Sequence, residues 1–166
     1  MADGPPASSP PGFEVRRGLT ESQVDELLVL YSGEWWTEDR TPADVERMLA
    51  ATDLVFAVVE ASTAAVVGFA RVLTDQTYVA LVLDVIVAPA YRGRGLGRLL
   101  VETILAEPGL QTVRSVELVC QPESIPFYER CGFSASVGRS GLMRRTADPR
   151  LGAPASQESA AGELDD

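Results

Sequence analysis

Between residues 13 and 146 the spacing of apolar residues switches repeatedly between the helical and the strand period. Residues 13–17 read as a short strand. Thr20 is a good N-cap, and Val24, Leu27, Leu28 and Tyr31 then share one helical face until Gly33 stops the run. Thr41-Pro42 opens a second helix, with proline at the first helical position and Val45, Met48 and Leu49 facing inward. Residues 54–60, 66–73 and 78–88 are rich in β-branched side chains and predict three successive strands. Residues 96–107 predict a helix with Leu96, Leu99, Leu100 and Ile104 on its buried side, closed by Pro108-Gly109. A strand over 113–120, a short helix over 122–130 ended by Gly132, and two short strands around 133–137 and 142–145 complete the pattern. The predicted order is β α α β β β α β α β β, a mixed α/β sheet domain.

The ends of the chain break this pattern. Residues 1–12 are rich in proline, and 147–166 in Ala, Ser, Gly and acid, so both are expected to be disordered tails around one domain at 13–146. The first residues have neither a basic start nor an apolar run, and no stretch approaches the roughly 20 apolar residues of a membrane span. A cytoplasmic location is expected. A formal charge of −10 argues against nucleic acid and anionic membrane as partners. The chain has no histidine, which removes Ser-His-Asp, Cys-His and His-metal chemistry. Lysine is also absent, so all 14 basic residues are arginine. Cys120 and Cys131 each sit in apolar sequence and read as reduced core thiols.

One stretch has its own chemistry. After the strand that holds Asp84, Val85, Ile86 and Val87, a loop carries Gly93, Gly95 and Gly97 interleaved with Arg92, Arg94 and Arg98, and Leu96 opens the next helix. Glycines let backbone amides approach a ligand closely, and a helix start offers unpaired N–H groups at the positive end of its dipole. With three fixed positive charges beside them, these groups predict a pyrophosphate cradle. A Walker loop is excluded, because it needs a lysine. A dinucleotide fingerprint is disfavoured: the spacing is Gly-x-Gly-x-Gly, the loop follows the fourth strand, and Glu117, at the right distance for the ribose acid, lies inside a strand.

Arg92-Gly93-Arg94-Gly95-Leu96-Gly97 resembles the Arg/Gln-x-x-Gly-x-Gly/Ala signature of the GCN5-related (GNAT) N-acyltransferases. Pro126-Phe127-Tyr128-Glu129-Arg130-Cys131-Gly132-Phe133 is similar to that family's later "PFYEKLGF" segment, at the expected separation. The resemblance covers residues 13–145. It implies a GNAT-like single domain, a mixed and mostly antiparallel sheet flanked by helices, and acetyl transfer from acetyl-CoA to a primary amine with no metal. A small-molecule amine is the expected acceptor, and a homodimer is left open. A protein or peptide acetyltransferase and a non-catalytic acyl-CoA-binding module are the alternatives.

The resemblance also implies roles. The cradle of residues 92–98 would hold the pyrophosphate, and the backbone of Val85, Ile86 and Val87 would pair with the pantetheine arm where the fourth and fifth strands splay. Pro122, which has no N–H, helps to end that pairing. Tyr128 occupies the position of the acid that protonates the leaving thiolate. The family often has Asn seven residues earlier, where Gln121 stands here. Glu34, Trp35, Trp36 and Glu38 fall where the family builds its acceptor wall, and a hydrophobic lid is the other reading of the tryptophans. Asp84 is an acid in an otherwise apolar strand, where an unpaired carboxylate is costly. It is therefore either the general base or one half of a salt bridge.

Overall fold

The alternating apolar segments pair in chain order. In the computed structural model, which describes residues 9–152, five strands form one sheet in the order β1 (Phe13–Arg17), β2 (Leu54–Glu60), β3 (Val66–Thr74), β4 (Val79–Val87) and β5 (Ser115–Leu118). β1 to β4 are antiparallel, and β5 runs parallel to β4. The parallel step needs a crossover, and α3 (Leu96–Leu105) supplies it. The expected mixed, mostly antiparallel sheet flanked by helices is what forms.

Both faces of the sheet are covered. On one, Leu96, Leu99, Leu100 and Ile104 of α3 pack against Phe56, Val58, Val72 and Val82. On the other, Leu27, Leu30 and Tyr31 of α1 (Glu21–Ser32) and Val45 of α2 (Pro42–Ala50) pack against Ala57, Phe69 and Ile86. Helix α1 begins where its first residues dictate. Thr20 Oγ1 accepts from the Gln23 N–H, and the Gln23 side chain accepts from the Thr20 N–H at 3.0 Å. Helix α4 (Ile125–Arg130) follows a single 3₁₀ turn at Pro122–Ser124.

Two local features prepare the site. Between the pairs Arg71↔Leu83 and Phe69↔Ile86, β4 sets Asp84 and Val85 against Ala70 alone, which is a β-bulge. Asp84 takes φ +55° there, left-handed backbone that an aspartate tolerates better than most residues. Second, β5 pairs with β4 only over Val79–Val82. From Leu83 onward that edge of β4 has no strand partner among the described residues.

The two last strands do not form. Residues 133–137 and 142–145 have no strand structure. Ser134, Ser136, Gly138, Arg139, Ser140 and Gly141 interrupt the apolar residues, and Val137, Leu142 and Met143 are exposed, so no buried face fixes a register. The chain divides into two compact units, one ending at Ala135 and the other beginning at Ser136. The described part of the second is turn and coil, with an Arg150–Asp148 ion pair at 2.8 Å. Most of the expected tails, at 1–8 and 153–166, lies outside the described residues.

Candidate active site

The glycine–arginine loop leaves β4 through a 3₁₀ turn at Pro89–Tyr91 and enters α3. Gly93 and Gly95 take φ +76° and +79°, a conformation that selects glycine, and a Cβ at either would meet nothing within 4 Å. Gly95 is the N-cap of α3 and offers no side chain, so among the described residues the backbone N–H groups of 93–98 find no acceptor. Unpartnered amides at the positive end of a 10-residue helix, with open space beside Gly93 and Gly95, fit an anionic phosphate. At Gly97 an added Cβ would stand 3.5 Å from the Phe127 ring and 3.8 Å from Val87, so the cradle is braced against α4 and β4. Arg94 stacks over Tyr91 with its guanidinium 5.2 Å from the ring. Arg98 pairs with Glu102 at 2.5 Å.

The unpaired edge of β4 lies next in the chain. Val85 and Val87 are half-buried against the α3 face, while Ile86 is buried against the α1 face. Arg92 reaches back and donates from Nε to the Val87 carbonyl at 3.0 Å. On α4, the Tyr128 ring packs edge-on between Phe127 and Phe133, with centroids 4.9 and 6.0 Å away. Burial, with the neighbouring Cys120 and Cys131 thiols adding to it, pushes the Tyr128 hydroxyl up to about 12. Both cysteines are free and half-buried, and burial raises both thiols.

Asp84 is the most heavily bonded side chain of the region. Arg40 donates to both its oxygens, at 2.7 and 3.0 Å, Arg71 Nε donates at 2.6 Å and the Tyr31 hydroxyl at 2.9 Å. Burial alone would raise its pKa, but hydrogen bonds and charge from Arg40, then Arg71, outweigh burial and hold the carboxyl below its usual range. A carboxylate with four donors on it is a weak base. Of the two roles left open by the sequence, the geometry around Asp84 fits the salt-bridged one better than the general base. Tyr31, Arg40 and Arg71 were not singled out from the sequence. Arg71 did have a signal, as the one charge in the apolar run Val66–Thr74, one strand away from the one charge in β4. Arg40, in a polar turn, had none.

The turn between α1 and α2 places Glu34, Trp35 and Trp36 near this strand. Glu34 forms an ion pair with Arg92 and so connects the turn to the glycine loop. Trp35 is half-exposed, whereas Trp36 packs on the α1-side core. The two readings of the tryptophans are thus divided between them: Trp35 presents a surface, and Trp36 packs as a lid on the sheet. Among the described residues no group of three or more Cys, Asp or Glu is placed to hold a metal ion, and no helix is long and apolar enough to cross a membrane.

Residues 52–135 match the acetyltransferase (GNAT) domain family. The chain is 32% identical over 125 residues to serotonin N-acetyltransferase 2, chloroplastic, of Oryza sativa, covering 74% of this chain and 62% of that protein. It is 28% identical over 133 residues to GCN5-related N-acetyltransferase 1, chloroplastic, of Arabidopsis thaliana, covering 80% and 67%. The chain therefore spans about two thirds of the length of these relatives. A Xanthomonas campestris crystal structure described as belonging to the GNAT family superposes with a TM-score of 0.67 at 30% identity, over 80% of this chain and 93% of that one. The expected cytoplasmic location does not stand, because both relatives are named chloroplastic.

Proposed function

From the premise that the chain belongs to the GNAT family of acetyltransferases, we propose that it moves an acetyl group from acetyl-CoA to a primary amine of a small molecule. The observation that carries this reading is the open cradle at 93–98, with left-handed Gly93 and Gly95 and free amides, set beside the unpaired edge of β4. The loop amides would take the pyrophosphate, with Arg92, Arg94 and Arg98 adding charge. The backbone of Val85, Ile86 and Val87 would pair with the pantetheine arm along the edge that β5 leaves free.

The protein's own groups then have three tasks. The amine must lose a proton before its nitrogen can attack the acetyl carbon, and Glu34 or Glu38 at the acceptor turn, directly or through water, is the candidate acceptor of that proton. A backbone N–H of the free β4 edge would meet the carbonyl oxygen as negative charge builds on it. Tyr128, kept neutral by burial, would donate to the sulfur as the carbon–sulfur bond breaks. Nitrogen sheds a second proton as the amide forms, and that proton restores Tyr128 through solvent, so the products are an amide, free coenzyme A and the proton first removed from the ammonium. The half-exposed Trp35 indole suits an amine with an apolar body, and the rice relative named for serotonin supports an aryl one.

The test is release of free thiol from acetyl-CoA with a panel of alkyl amines, arylalkyl amines and peptides. Turnover confined to small amines supports the proposal. Turnover on peptides alone would make the chain a protein acetyltransferase. Tight acetyl-CoA binding without turnover on any acceptor would make it a binding module.

A further inference from the structure

We propose that Asp84 is a positioning residue whose carboxylate, gripped by Arg40, Arg71 and Tyr31, fastens the acceptor-side turn to the bulged donor strand. The inference rests on the acetyltransferase reading above. The turn after α1 begins two residues past Tyr31 and ends at Arg40, and both of these residues bond the same carboxylate. Between them, Thr37 is fully buried and donates from Oγ1 to the Tyr31 carbonyl at 2.8 Å. Arg40 also lies over the Tyr31 ring, 4.4 Å from its centroid, and both side chains contact Met48 of α2. The turn that carries Glu34, Trp35 and Trp36 is thereby tied at both ends to one atom group in β4.

The other side of the grip is the bulge. Asp84 is buried with left-handed backbone, which is unfavourable for a residue with a Cβ unless its surroundings hold it there. The side-chain bonds supply that restraint, and Arg71 on β3 completes it from the paired side of the strand. Where Asp84 turns decides how the next three residues, Val85, Ile86 and Val87, present their free edge. Two arginines and a tyrosine face the carboxylate, and among the described residues no second acid is bonded to it, so its charge is compensated in place. Such a group transmits position, because small displacements of reacting atoms change rates steeply.

Asp84→Asn keeps a side chain that tolerates left-handed backbone, and Asp84→Ala removes both tolerance and grip. In the full chain, Asp84→Ala should lower kcat about tenfold to a hundredfold and raise KM for the amine, with acetyl-CoA affinity weakened by a smaller factor, because the strand edge shifts while the loop cradle keeps its contacts. Asp84→Asn should lie between it and wild type, with the midpoint of its pH–rate curve unmoved. Arg40→Lys should retain more activity than Arg40→Ala. Hydrogen exchange without ligand should quicken together at 33–40 and 83–87 in Asp84→Ala, and stay slow in β2. A flattened pH–rate curve for Asp84→Asn, or exchange that quickens at 83–87 alone, would overturn the proposal. If wild type acetylates no amine, the acetyltransferase reading fails, and the joint exchange of the two segments still decides whether Asp84 couples them.

Discussion

Two groups of arginines flank strand β4 and do different work. Arg40 and Arg71 are largely enclosed, with side chains 23% and 12% exposed, and both close on Asp84, which is 4% exposed. Arg92 and Arg98 are 53% and 65% exposed, and their partners Glu34 and Glu102 are half-buried. A buried pair is fixed, since removing one member leaves the other charged and dry. A surface pair gives up little when its partner is exchanged. The contrast teaches which arginines can serve a ligand. Those of the loop can trade a carboxylate for a phosphate, and those of the cluster cannot leave Asp84.

The largest effect that can break this contrast is on stability. Asp84→Ala should destabilise the fold by about 3 kcal/mol, because it strands two largely enclosed guanidinium groups. Arg92→Gln should change it by less than about 1 kcal/mol. Denaturant unfolding of both variants measures the difference, and equal losses would erase the distinction.

Next in size is the effect on turnover. Tyr128→Phe removes one oxygen and leaves the ring packing between Phe127 and Phe133, so kcat should fall by at least about tenfold while acetyl-CoA affinity holds. With its hydroxyl at about 12, the tyrosine stays neutral across the alkaline range. The rate should therefore rise with pH as the amine deprotonates and show no descending limb from Tyr128 until pH nears about 12. Normal turnover in Tyr128→Phe with reduced stability would make it a core residue only.

A smaller effect lies at acid pH. Asp84 has a folded pKa below its unfolded value of about 3.9, so its ion pairs contribute full stability above that pH. Protons bind the unfolded state more readily, and stability falls as pH drops through the folded value. Melting temperature against pH below about 4 should slope less in Asp84→Asn than in wild type. Smallest should be the response to salt. Acetyl-CoA affinity should weaken with ionic strength, and the weakening should be shallower in Arg92→Gln, whereas the Asp84 cluster, with its carboxylate buried, should respond less.

The sheet up to β5 was legible because its signals are local. Branched runs, the Thr20 and Thr41 caps and the apolar stripe of α3 each act within a few residues. The glycine loop was legible for the same reason, since positive φ at Gly93 and Gly95 marks the sequence directly. The segment after Phe133 misled because Val137, Leu142 and Met143 resemble strand residues, yet they are exposed. The Asp84 cluster was only half legible. Its members are 13, 44 and 53 residues from Asp84, and they meet through the packing of α1 on the bulged sheet.

The central claim is that residues 92–98 bind acetyl-CoA, and thermal unfolding with and without it tests that claim most directly. A ligand at about 100 times its Kd stabilises by about 2.7 kcal/mol, which for a chain of this size raises Tm by roughly 5–10 °C. Wild type should show a rise of that order. Gly95→Glu, which puts a strained, negatively charged side chain in the cradle, should show none. No rise in wild type, or an equal rise in Gly95→Glu, would contradict the assignment of the loop.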